Sequence, residues 1–286
     1  MSAEPRELSH LGLSASGFHR IAYVEWGAAS NPRVLVCVHG LTRNGRDFDW
    51  LAGAVRDHYR VACPDVVGRG RSDWLADKRG YGYPQYCADL NVLIARLGAE
   101  KVDWVGTSMG GLIGMVMAAQ PGTPIRRLVM NDIGPYVPKA GLERLARYVG
   151  KDPRFAGLSE AEAYIREIAA PFGALGDDDW RHLTLHSVRR EPDGAWRLRY
   201  DPAIGDPLRS DEIADTNLWA VWERVSCPVL VLRGERSDLL LPETAAEMTR
   251  RGPKARVIEA AGCGHAPALA APAQIAPIRD FLLSPD

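Results

Sequence analysis

Gly106-Thr107-Ser108-Met109-Gly110 places a serine between two glycines, directly after the apolar run Val102 to Val105 and at the start of a helical stretch. In that setting GxSxG forms a nucleophile elbow. The glycines let the chain pass close to itself while Ser108 is held on a tight, strained turn. A helix N-terminus there sets backbone N–H groups and a partial positive charge beside a developing oxyanion. A serine hydroxyl needs a base to take its proton, and His265, in Ala261-Gly-Cys-Gly-His-Ala266, lies in a Gly-rich loop from which it can reach over a sheet edge. His39-Gly40-Leu41 follows another apolar run, Arg33 to Val38. The loop after such a strand supplies the second oxyanion donor in acyl transfer, so the Leu41 N–H is expected to pair with that of Met109, with the His39 imidazole bracing the loop.

An imidazole acting as base needs a carboxylate to fix its tautomer. Two aspartates follow strand-like runs and would reach the same sheet edge: Asp132, after Arg127 to Met130, and Asp238, after Pro228 to Leu232. Other signals are weaker. Gly40-x4-Gly45-Arg46 lacks the Lys-Ser/Thr pair of a phosphate loop. His182 and His186 could share a helix face, but with no third ligand nearby a surface or packing role is expected and no metal is implied. Cys263 is not on an elbow, which argues against a thiol nucleophile.

These groups must be positioned by alternating strands and helices, the pattern of a parallel sheet with helical crossovers. His19 to Trp26 reads as an early, antiparallel strand, and Arg33 to Val38 as a strand buried on both faces. Tyr59 to Cys63 is a further strand, and Gln85 to Leu97 a helix with leucines at spacings of three and four, stopped by Gly98. The helix from Ser108 to Gln120, the strands Pro228 to Leu232 and Ala255 to Ile258, and a last helix over about Ile275 to Leu283 complete this pattern. Between Ile133 and Ser226 the chain is charged and helical in tone, with a hairpin signal at Asp193-Gly194. Residues 133–226 are therefore read as a cap inserted into a core made of 1–132 and 227–286.

With 286 residues, 46% of them hydrophobic, the chain can bury a large core. Lys and Arg number 35 against 36 Asp and Glu, a net charge of -1, which excludes a strongly basic footprint for nucleic acid or anionic membranes. The longest apolar helical stretch is too short to span a bilayer, and MSAEPRELSH does not resemble a signal peptide. Five cysteines without CxxC spacing are expected to be reduced thiols in a cytoplasmic protein.

The HG dipeptide after a strand, PDVVGRGRSD, GTSMGG, LRGERSD and GCGHAP, in that order, resemble the α/β-hydrolase family over about residues 18 to 283. The resemblance implies an α/β fold, a mostly parallel twisted sheet flanked by helices with a mainly helical cap. It also implies a triad of Ser108, Asp238 and His265. Asp238 is favoured over Asp132 because Gly234-Glu-Arg-Ser-Asp238 matches the usual acid loop, whereas Asn131-Asp132 looks like a hinge into the cap. Asp65 and Gly70 look like a structural turn. The expected chemistry is cleavage of a carboxylic ester or lactone of a small to medium uncharged or aromatic molecule through an acyl-enzyme, without metal or organic cofactor. Cleavage of a carbon–carbon bond in a vinylogous diketone, or a ligand receptor with little turnover, are the alternatives. Trp219 and Trp222, just before the chain returns to the sheet, are expected to line the substrate pocket or else only to pack the cap.

Overall fold

The computed structural model describes residues 4–209 and 213–285; the ends of the sequence-drawn domains at 1–3 and 286, and residues 210–212 of the insertion, lie outside the described residues. The chain opens with a hairpin, β1 (Arg6–Ser14) and β2 (Gly17–Trp26), followed by β3 (Val34–Val38), α1 (Asp49–Val55), β4 (Arg60–Pro64), α2 (Tyr83–Leu97), β5 (Val102–Thr107), α3 (Met109–Ala118) and β6 (Ile125–Asn131). Among the described residues, the segment that follows holds only two- and three-residue strands, β7 (Tyr136–Val137), β8 (Arg154–Phe155), β9 (Val188–Arg190), β10 (Trp196–Leu198) and β11 (Thr216–Asn217). Among them lie the helices α4 (Lys139–Ala146), α5 (Leu158–Ile168), α6 (Asp177–Ser187) and α7 (Trp219–Trp222). The chain then returns through β12 (Val229–Gly234), α8 (Pro242–Met248), β13 (Arg256–Ala260) and α9 (Pro272–Leu283).

Eight strands form one sheet in the order β1-β2-β4-β3-β5-β6-β12-β13. β1, β2 and β4 pair antiparallel, and every pairing from β4 through β13 is parallel. The central strands are apolar throughout because successive side chains point to opposite faces and both faces are covered. Val36, Trp104, Met130 and Val231 enter one hydrophobic cluster, while Leu35, Val105, Val129 and Leu230 enter the other. The short strands between β6 and β12 join none of this sheet: β8-β10-β9 form a three-stranded sheet and β11-β7 a pair. Asp193-Gly194 turns the β9-β10 hairpin, as the sequence predicts.

Register brings the functional loops together. Val38 lies opposite Gly106, Thr107 opposite Asn131, and Asn131 opposite Leu232. The loops after β3, β5, β6 and β12 therefore leave from one carboxyl edge of the sheet, where α/β folds build their sites. No helix among the described residues is long and apolar enough to cross a membrane.

Candidate active site

The turn from β5 into α3 holds Ser108 at φ 51°, ψ -115°. A non-glycine residue in this region is strained, by about 1–3 kcal/mol. The turn is held by what surrounds it: Ser108 N–H donates to the Asn131 carbonyl at 3.0 Å and Trp104 Nε1–H to the Gly110 carbonyl at 3.0 Å. Both elbow glycines are required by close approach. A Cβ at Gly106 would lie 2.2 Å from the Gly110 backbone, and one at Gly110 would lie 1.9 Å from the Val38 carbonyl oxygen.

The Ser108 hydroxyl stands 2.8 Å from His265 Nε2, and His265 Nδ1 stands 2.7 Å from Asp132 Oδ2. A carboxylate can only accept, so Nδ1 carries the ring proton and Nε2 is left to receive the serine's. Asp132 is fully buried and accepts two further hydrogen bonds at 2.6 Å, from the Gly234 N–H and from the Ser237 hydroxyl. A hydroxyl, an imidazole and a carboxylate so linked can turn a serine into a nucleophile.

Asp238, the acid expected from the loop pattern, does not touch His265. Its carboxylate pairs with Arg144 of α4 and is 43% exposed. Strand order explains the difference. β6 lies between β5 and β12, so Asp132, the first residue after β6, stands beside the elbow, whereas Asp238 lies four residues beyond β12 and turns outward. The Gly234–Asp238 loop instead supplies Asp132 with two donors.

The loop after β3 carries Leu41. His39 is fully buried; its Nε2 accepts from the Val66 N–H at 2.9 Å and its Nδ1–H donates to the Gly40 carbonyl at 2.7 Å. Burial pushes this imidazole down to about 4, so it stays neutral and braces the loop. Asp65 accepts the Gly45 and Arg71 N–H groups, each at 2.8 Å, and closes the neighbouring turn.

Leu41, Ser108 and Met109 line a mainly apolar cavity of 380 Å³, walled by Tyr86, Leu112, Leu142 and Ile204 among others. A smaller recess of 60 Å³ lies against Ser108 and His265, bounded by Thr42, Arg43, Tyr148 and Phe172.

The model of the Alpha/beta hydrolase family matches residues 35–278. The chain belongs to this family. As an α/β-hydrolase it is 50% identical, over 96% of its length and 97% of the relative's, to a 3-hydroxybutyrate-oligomer hydrolase of Cupriavidus necator. Among solved structures, a putative hydrolase from Rickettsia typhi superposes with a TM-score of 0.91 at 31% identity, covering 99% of this chain and 100% of that one. An α/β-hydrolase from Novosphingobium aromaticivorans superposes with a TM-score of 0.85 at 34% identity, covering 99% of each.

Within this α/β-hydrolase, neither tryptophan expected at the pocket lines it. Trp222 is fully buried and donates Nε1–H to the Arg251 carbonyl at 3.0 Å, and the Arg251 guanidinium stacks 4.4 Å over the Trp219 ring. The last turn before β12 faces Arg251 and Gly252, in the chain after α8, and not the cavity.

Sequence reasoning missed Arg69. Its guanidinium is completely buried, with Nε donating to the Leu41 carbonyl at 2.9 Å, one terminal nitrogen to the Val67 carbonyl and the Tyr86 hydroxyl, and the other set 3.7 Å from Met109 Sδ. Among the described residues no carboxylate lies within ion-pair distance of it. The signal for it is an arginine inside PDVVGRGRSD, between two glycines, where the sequence reading assigns a role only to Asp65 and Gly70.

Proposed function

We propose that this hydrolase cleaves carboxylic esters of short hydroxyalkanoate oligomers through an acyl-enzyme on Ser108, with His265 as base and Asp132 as the acid that orients it. The observation that carries this reading is the continuous Ser108–His265–Asp132 hydrogen-bonded chain opening on an apolar cavity. The likeness to a 3-hydroxybutyrate-oligomer hydrolase supports the substrate class. Ser108 attacks the ester carbonyl as His265 Nε2 takes its proton. The Leu41 and Met109 N–H groups receive the oxyanion, and the protonated His265 gives its proton to the leaving alkoxide. Water, activated by the same nitrogen, then releases the acid.

The residues between β6 and β12 act as a cap that sets chain length. Leu142, Leu145 and Ile204 come from that segment to wall the large cavity. The leaving oxygen must lie against His265, which borders the 60 Å³ recess and not the larger cavity. At about 10–15 Å³ per water, that recess suits a single four-carbon unit. The acyl chain then occupies the large cavity, and one hydroxy acid leaves per turnover.

The purified enzyme is expected to convert a 3-hydroxybutyrate trimer to dimer and monomer, followed by chromatography. Leu142→Trp should lower the trimer-to-phenyl-acetate rate ratio by about tenfold or more, since discrimination in such pockets is worth roughly 1–3 kcal/mol. Turnover of phenyl acetate with none of the trimer would refute the substrate class, and an unchanged ratio would refute the cavity assignment.

Ser237→Ala removes one of three hydrogen bonds to Asp132. A hydrogen bond to a charged group is worth about 1.5–3 kcal/mol, so kcat should fall about tenfold or more with KM little changed. Steady-state kinetics on one ester distinguishes this from a loss of substrate binding, which would move KM instead.

A further inference from the structure

His182 and His186 stand one turn apart on α6, with ring centroids 4.7 Å apart. The third donor absent from their sequence neighbourhood comes from the core: Asp49, the first residue of α1, lies with its carboxylate 3.4 Å from His182 Nε2. One ligand atom from each of the three falls within 4.8 Å of the others. We propose that Asp49, His182 and His186 bind a zinc-class divalent transition-metal ion, outside the Ser108 site, at the seam between the inserted segment and the core.

Two imidazoles and a carboxylate are the donor set that zinc, nickel and copper take in proteins. Metal–ligand bonds of about 2.0–2.1 Å in a tetrahedron put neighbouring donors about 3.3 Å apart. The His182–Asp49 pair is already at that spacing, so His186 is the group that must draw inward. Asp49 has the capacity to accept: its Oδ1 is buried without a close hydrogen-bond partner among the described residues, the Trp26 indole N–H beside it being likewise unpaired.

Two existing contacts must yield. His182 Nε2 now lies 3.0 Å from the Arg46 carbonyl, and on metal binding its ring proton resides on Nδ1. Arg46 Nε donates to Asp49 Oδ2 at 2.6 Å and occupies the place of the cation. Its side chain is 22% exposed and can turn to water. Arg46 is therefore a built-in competitor, which gives the site a signature with two opposite signs.

Zinc here would pin α6 to the turn that leads back to Leu41. That turn is already tied to α6 by Asn44 Nδ2 donating to the His186 carbonyl at 3.1 Å and by Arg43 donating to the Ser187 hydroxyl at 2.8 Å.

The test uses the full chain stripped with a chelator, with Zn²⁺ titrated by calorimetry and in thermal unfolding. Wild type is expected to bind one ion per chain and to melt at a higher temperature with it. His182→Ala and His186→Ala should each weaken binding at least about tenfold, exposed His58→Ala should leave it unchanged, and Arg46→Ala should tighten it severalfold. Unaltered affinity in both histidine variants overturns the site. Should those variants fold poorly, Arg46→Ala remains decisive, because equal or weaker affinity there also overturns it. Co²⁺ as a spectroscopic probe should give visible ligand-field bands alone; an intense near-ultraviolet thiolate band would assign the ion to the cysteines and overturn the proposal.

Discussion

Asp132→Asn is expected to lower turnover by about ten-thousand-fold, the loss seen when a triad aspartate is amidated in a trypsin-like enzyme, while Asp238→Asn stays within a few-fold of wild type. The asymmetry follows from what each carboxylate holds. Asp132 accepts from Gly234 N–H, Ser237 Oγ–H and His265 Nδ1–H. An asparagine has one acceptor oxygen and one amide group, so its NH₂ must oppose at least one of these donors. If that donor is His265, the ring takes the other tautomer and Nε2 can no longer receive the Ser108 proton. Among the described residues Asp238 holds only Arg144, across a half-exposed pair, and such pairs contribute about 0–1 kcal/mol. Turnover of both variants on one ester, with thermal melts to certify folding, decides the matter. Collapse of Asp238→Asn with near-normal Asp132→Asn would reverse the assignment.

Ser108→Ala is expected to remove about a million-fold in kcat, the scale measured for nucleophile loss in a serine protease, and to leave the melting temperature close to wild type. Alanine keeps a Cβ, so the strained turn at φ 51° is no worse accommodated than before. The hydroxyl gives up only its bond to His265. Fluorophosphonate labelling should vanish in the same variant. Residual activity above about one percent of wild type, far outside a million-fold loss, would show that another group attacks.

These two residues differ in how far the sequence reveals them. Ser108 and His265 are legible because their evidence is local: an elbow needs glycines at two fixed offsets, and a reaching histidine needs a loose loop. The acid is not local. Which carboxylate meets His265 depends on β6 lying beside β5 in the sheet, a long-range fact that a loop pattern around Asp238 cannot encode. The first strand escaped for a related reason. In β1 the inward residues are Leu8, His10 and Gly12, while Leu11 and Leu13 face water at 62% and 60% exposure, so its alternation reads with the wrong face inward. The strands and helices that the sequence reading does bound end within a few residues of it; α2, for example, begins at Tyr83 through Pro84 at its first turn, while α1 and α8 carry no comparable sequence signal and go unread. The tryptophans before β12 failed because aromatic content says that a side chain will be buried, not against what.

Arg69 carries one more implication. A guanidinium with no accessible surface has no room for an ion atmosphere of its own, and buried charges are screened far less by salt than exposed ones. Its positive potential beneath Leu41 and Met109 is thus a lasting feature of the interior, set when the chain folds and only weakly damped by added salt. The Arg144–Asp238 pair on the surface has the opposite character: its attraction fades as electrolyte is added. The same protein therefore holds two kinds of electrostatics, one that answers readily to ionic strength and governs the exterior, and one sealed near the Ser108 turn that answers far less.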